Sequence, residues 1–375
     1  MIENHHRVTM VSLFHPCHSG SQPFDDPPLE NVGLRRMEFI CHIGQPKTAS
    51  TTIQMHLARN RQLLKAQGIL YPASLGTPKS SVIPMFCDNG PVAFGTSLDG
   101  ALRSNFESEL FDGLNSVLLS EERLFDVPNA SAIKERFSVY ASSWRILCYI
   151  RRPEEHIVSR YSENIRAGYV YTLNQYFEER LTSHHYRVAD RLEQWTDVFG
   201  DGVEVRVFDH AARKNGVLGD FLGWIGADSE AHSLDSAQWA NRSLDRTNTE
   251  IMRFLNRCLL DRPDVLQKHH DLIGEGTRYR LEAVRKKLLA LDGGERLRLD
   301  PDRANLLLAH LRISNEILAK RYLSAEHGAA LLSAPAETSS PAALNTGTVF
   351  QRMMAVFDDE ELAEIGTDFL VFNRL

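Results

Sequence analysis

Four apolar runs of strand length, each set apart from the next by a segment long enough for a helix, leave this chain few folds to choose from. They are Glu38 to Ile43, Ser116 to Ser120, Arg145 to Ile150 and Val203 to Phe208. The first three are apolar almost throughout, as in strands covered on both faces, while the fourth alternates. None is joined to the next by a two-residue turn, so parallel pairing through crossover helices is expected. The fold class that follows is α/β: an open, mainly parallel sheet flanked by helices in three layers, with a helical C-terminal part.

The helical segments carry apolar residues at three- and four-residue spacing. One runs from Thr51 to Ala66, with Gly68 placed to cap it. Others run from Thr249 to Leu260, Tyr279 to Leu291 and Ala304 to Leu323, and could pack as a lid or helical subdomain. Residues 1–36, with Pro23, Pro27 and Pro28 and no continuous apolar stretch, are expected to form a poorly ordered arm rather than a signal peptide. The main domain is expected over 37–325. Residues 326–375 then supply an Ala-, Pro-, Ser- and Thr-rich linker (Ser333 to Thr348) and one terminal helix with a tail from Val349.

A formal charge of −7 argues against a general nucleic-acid binder, which needs a basic surface. The five cysteines, Cys17, Cys41, Cys87, Cys148 and Cys258, are widely spaced without a C-x-x-C pair. That suggests neither a disulfide framework nor a zinc site and fits a reducing, cytoplasmic setting. No apolar run approaches the ~20 residues that cross a bilayer, so the expectation is a soluble protein without a transmembrane segment.

Chemistry enters after the first run, at Gly44-Gln45-Pro46-Lys47-Thr48-Ala49-Ser50-Thr51-Thr52. N–H groups at a helix start converge on an anion with a favourable dipole. Ser50, Thr51 and Thr52 add hydroxyls, and Lys47 adds a mobile charge. The lysine comes earlier than in an ATP-binding Walker loop, where it follows a second glycine and directly precedes the Ser or Thr. A second anion signal ends the third run, where Arg151-Arg152-Pro153 is followed by Ser159 and Tyr161. Pro153 suits a first helical turn, which puts Arg151 at the carboxyl edge of the strand and Ser159 about two turns on. Ligands of open parallel sheets bind at that edge.

The two segments together resemble the sulfotransferases that use 3′-phosphoadenosine 5′-phosphosulfate (PAPS), particularly bacterial members with a P-loop-like fold. Scattered blocks extend the resemblance from Glu38 to Leu323, among them Gly68-Ile69-Leu70-Tyr71-Pro72, Ser120-Glu121-Glu122 and Ser314-Asn315-Glu316-Ile317-Leu318-Ala319. It implies that Lys47, Thr48, Ala49, Ser50, Thr51 and Thr52 bind the 5′-phosphosulfate, and that Arg151 and Ser159 bind the 3′-phosphate. It implies PAPS as co-substrate, released as adenosine 3′,5′-bisphosphate, with no metal required. Ala49 stands where that family's loop usually has glycine, and Arg152 where it has Asp or Asn before the proline.

Transfer to a hydroxyl or amine also needs a base. Glu121, directly after the second run, is the first candidate and Glu122 its rival, strand alternation being expected to turn only one toward the cleft. His42 is expected as a buried core histidine and His56 as a helix residue facing solvent. Neither His184-His185 nor His269-His270 has metal-ligand spacing, since adjacent side chains diverge. Glu154-Glu155-His156 is expected as the exposed first turn of a helix. The acceptor, a glycan, glycolipid or small alcohol, and the oligomeric state are not specified by the sequence. The alternatives are a nucleotide kinase-like phosphotransferase and a non-catalytic nucleotide-binding protein on the same fold.

Overall fold

The computed structural model describes residues 36–88, 96–183, 186–228, 232, 243–261, 281–291, 293–333 and 345–357. The arm up to residue 35, most of the linker, the tail after residue 357, His184-His185 and His269-His270 lie outside the described residues.

All four expected strands form: β1 (Met37–His42), β3 (Ser116–Ser120), β4 (Ala141–Ile150) and β5 (Val203–Val207), joined by a two-residue β2 (Ile69–Leu70). Every pairing is parallel and the order is β2-β3-β1-β4-β5. β1 is central, with His42 in register with Ser120 on one side and Leu147 on the other. The segments leaving β1, β3 and β4 therefore emerge side by side at one carboxyl edge, where chain direction diverges.

Alternate β1 residues build the two layers around the sheet. Phe39 and Cys41 face one core with Val117, Leu119, Ile146 and Trp195, while Ile40 faces another with Leu118, Leu147 and Phe221. The second face is covered by α1 (Ser50–Arg59), α2 (Arg61–Ala66) and α9 (Phe208–Ile225). The first is covered by α3 (Ile83–Asp88), α4 (Thr96–Ser108), α5 (Ser131–Arg136) and α8 (Val188–Phe199). In α1, Ile53 and Leu57 lie one turn apart and are both fully buried. Each contributes about 2 kcal/mol of apolar burial that seats this helix on the sheet.

A third core is mainly helical. It joins α6 (Pro153–Arg166) and α7 (Leu173–Arg180) to α10 (Arg246–Asp261), α11 (Glu282–Ala290), α12 (Pro301–His310) and, near the C-terminus, α15 (Thr346–Val356). Between the last two come α13 (Arg312–Arg321) and α14 (Ala325–Leu332), which send Leu318 and Leu331 into the first sheet core.

Two expected helices are each a broken pair. The segment from Thr51 to Ala66 divides at Asn60, which sits at φ −107°, ψ 22°, and whose side chain donates to His56 O at 2.9 Å. That from Ala304 to Leu323 divides at Leu311, at φ −96°, ψ 5°. Apolar spacing continues through both breaks, and so conceals them.

Candidate functional site

Between β1 and α1 the chain turns through two left-handed residues, Lys47 at φ 74° and Ala49 at φ 61°. A side chain at such a φ costs about 1–2 kcal/mol, which explains why glycine suits position 49. Ala49 offers no side-chain cap, and its carbonyl accepts from Thr52 and Ile53. The first N–H groups of α1 thus remain for an outside acceptor, the arrangement that favours an anion.

The loop's hydroxyls divide by role. Thr48, fully buried, donates to Gln45 O at 2.6 Å and holds the turn. Ser50 is also buried, and its Oγ has no partner. Thr51 is exposed and Thr52 half-buried. Beneath the turn lies His42, whose Nδ1 is 2.9 Å from Ser120 Oγ. Burial pushes the His42 imidazole down to about 4, against an opposing pull from Glu122, so the ring is uncharged at neutral pH. Its Nε2 is likewise buried and unpartnered. A Cβ added at Gly44 would stand 2.8 Å from His42 Nε2 and 3.1 Å from Ser50 Oγ, so only glycine lets both approach the strand end.

A relay of three residues ties the turn to β4 and α6. Arg151 N–H donates to Gln45 Oε1 at 2.8 Å, which leaves Gln45 Nε2 to donate to His156 Nδ1 at 3.4 Å. His156 Nε2 then donates to Pro46 O at 3.0 Å. His156 is 4% exposed, contrary to the exposed first turn expected around it. Glu154 is partly buried, its side chain 11% exposed and paired with Arg152 at 2.5 Å, and burial raises its carboxyl against the pull of that arginine.

Lys47 and Arg151 come together at this turn. Arg151 Nη1 donates to Lys47 O at 3.3 Å, and its guanidinium lies 4.9 Å above the Phe208 ring and 3.1 Å from Asp209. Lys47 Nζ is 3.1 Å from Glu163 Oε2. Ser159 and Lys47 line one cleft of about 450 Å³ with Ser162, Glu163, Arg166 and Arg285. Arg285 belongs to α11 and lies far from both sequence motifs.

The acids after β3 lie apart from that cleft. Glu121, fully buried, accepts through Oε1 from Lys79 Nζ at 3.0 Å and from Arg123 N at 3.1 Å, while its Oε2 is buried without a partner. Glu122 accepts from the same Lys79 at 2.9 Å and from Gln54 of α1 at 2.8 Å. The expected divergence of the two acids fails because β3 ends at Ser120 and Glu122 opens a 3₁₀ turn, where strand alternation no longer holds. Burial alone would raise the Glu122 carboxyl, but the hydrogen bonds from Gln54 and Lys79 outweigh it and lower it. The Lys79 ammonium is raised, its two carboxylates outweighing the opposing effect of burial. Lys79 had no sequence signal, being a lone lysine in a loop.

His56 does not face solvent as expected. It is half-buried, with Nε2 3.0 Å from His232 Nδ1, and burial pushes it down to about 4. Among the described residues no three His, Cys, Asp or Glu side chains converge as metal ligands do. No helix among them is long and apolar enough to cross a membrane.

No protein-family model matches the chain, and no curated protein matches it. Among solved structures it is similar to a sulfotransferase from Alicyclobacillus acidocaldarius, at 19% identity over 60% of this chain and 95% of that one, with a TM-score of 0.35. A likeness that loose decides nothing about activity or substrate.

Proposed function

We propose that this chain moves a sulfuryl group from PAPS to a hydroxyl or amine. What supports this is the meeting of two anion-binding segments at one uncapped helix start: the Lys47 turn ahead of α1, and Arg151 hydrogen-bonded to that turn's backbone. A nucleotide with phosphate at both ends of its ribose asks for two such segments, and a Walker-type triphosphate asks for one. The cleft beside Lys47 is also lined by Arg166 and Arg285, which share the Glu282 carboxylate at 3.0 and 3.2 Å.

The acceptor oxygen attacks sulfur in line, a new S–O bond forms, and the bond to the 5′-phosphate oxygen breaks. Adenosine 3′,5′-bisphosphate leaves with the electron pair. Lys47 follows the charge that develops on the leaving oxygen. Glu121 is proposed to take the acceptor's proton on Oε2, the oxygen that Lys79 and Arg123 leave over, by way of one water, since it lines neither the Lys47 cleft nor its neighbour. Glu122 is a weaker base than an ordinary carboxylate, because the hydrogen bonds from Gln54 and Lys79 stabilise its charge. An incoming anion competes with Glu163 for Lys47 and with Asp209 for Arg151.

Titration with adenosine 3′,5′-bisphosphate, ATP and GTP tests the reading. The 3′-phosphorylated ligand is expected to bind at least about tenfold more tightly, the value of one charge-assisted contact. Arg151→Ala is expected to erase that preference. Equal binding of all three nucleotides by the wild type would instead favour a phosphotransferase. Transfer of labelled sulfate from PAPS to a panel of hydroxylated acceptors completes the test.

A further inference from the structure

Beside the Lys47 cleft lies a second of about 600 Å³, lined by Gln45, Pro46, Phe125, Arg160, Tyr169 and Arg180 among others. The turn after β1 divides the two: Pro46 lines one and Lys47 the other. Helix α6 divides them again. His156, Arg160 and Asn164, at intervals of four, form a stripe on the second cleft, while Ser159, Ser162, Glu163 and Arg166 form the neighbouring stripe on the first. Its third face, with Ile157, Tyr161 and Ile165, is fixed in the helical core. A group held in the second cleft thus meets the anion-binding turn on its Pro46 side, across from Lys47.

Three polar groups of this second cleft, on Arg160, Asn164 and Arg180, are left without a hydrogen bond among the described residues. Among the described residues Arg160 has no carboxylate partner and no hydrogen bond, and the Asn164 amide has no hydrogen bond. Arg180 Nε is buried and unpartnered, its Nη2 being 3.4 Å from Glu179. The guanidinium also lies 5.6 Å over the Tyr176 ring, which holds the fork in place. Asp126, 3.8 Å from Arg191, lines the same cleft. One acid against two arginines favours a ligand of single negative charge over a dianion. Phe125, Tyr169, Tyr176 and Tyr186 add aromatic walls, the three tyrosines with hydroxyl tips, and Tyr169 is exposed at 40%.

We infer that this cleft binds a hydroxylated ring carrying one carboxylate, an acidic sugar unit, with the carboxylate on Arg160 and Arg180 and the ring against the tyrosines. Calling that sugar the acceptor rests on the sulfuryl-transfer proposal; the cleft's preference for it is measured apart. Calorimetry with p-nitrophenyl glucuronide and p-nitrophenyl glucoside, which differ only in carboxylate against hydroxymethyl, reads the preference without a variant. The wild type is expected to bind the glucuronide about tenfold more tightly, the worth of a carboxylate held by an arginine fork. Arg160→Ala and Arg180→Ala, with thermal denaturation to check folding, are each expected to remove most of that difference. Equal binding of the two glycosides, binding of neither, or an unchanged preference in both variants overturns the assignment. A wild type that prefers the glucuronide yet fails to bind adenosine 3′,5′-bisphosphate keeps the cleft and sinks the donor proposal; the opposite pattern sinks only the cleft.

Discussion

Lys47 and Glu121 divide the proposed chemistry between them, and their surroundings say how each should fail when replaced. Lys47 spends its ground-state interaction on Glu163, so binding gains little from it, and its effect should appear where charge develops. Lys47→Ala is expected to lower turnover by about 100-fold while PAPS affinity changes by a few-fold at most. Single-turnover transfer measured beside nucleotide affinity separates the two, and a pure affinity loss would remove the assigned role. Glu121→Gln should keep nucleotide binding and abolish most transfer, since the amide retains shape but is a far poorer base. Glu122→Gln should behave differently: transfer persists, and stability falls by about 1 kcal/mol as the charged hydrogen bonds to Gln54 and Lys79 weaken. Urea denaturation of that variant checks it, and lost transfer with intact stability would exchange the two roles.

The turn between β1 and α1 carries an identifiable strain. Ala49 sits at φ 61°, where a methyl group crowds the following carbonyl. Ala49→Gly is expected to stabilise the protein by up to about 1 kcal/mol, the relieved strain exceeding the added freedom of the unfolded chain. Denaturation midpoints settle this, and a fall in stability would mean that neighbouring packing of Ala49 outweighs its backbone. Strands such as Ser116 to Ser120 were legible because an apolar run flanked by polar residues admits few alternatives. The two residues of β2 are too short to show a pattern, and the helix breaks at Asn60 and Leu311 interrupt no apolar spacing. At the candidate site, Lys47 and Arg151 could be singled out because each lies just past a strand end, and Ser159 because Pro153 fixes the start of its helix. Gln45 and His156 could not, since their hydrogen bond joins residues 111 positions apart, and only the folded sheet edge brings them together.

Arg152 connects the carboxyl edge of the sheet to the C-terminal helices. Its guanidinium pairs with Glu154 and donates to Ala330 O at 3.0 Å, to Ser333 O at 2.7 Å and to Ser333 Oγ. The start of α6 is thereby fastened to the end of α14. Arg152→Met is expected to cost about 3 kcal/mol, because the partly buried Glu154 carboxyl loses its partner, and Arg152→Met with Glu154→Leu should recover most of it. Chemical denaturation of the single and double variants measures that coupling, and additive losses would contradict it. The strand order has its own consequence during synthesis. β1, the first strand among the described residues, occupies the middle of the sheet, and both of its neighbours are encoded later. Until Ser120 leaves the ribosome, at about 5–20 residues per second, β1 carries two bare edges on the nascent chain, and one of them waits for Ile150. A chaperone that shelters unpaired strands would meet this protein early, and its hold should end when β3 and β4 close on either side.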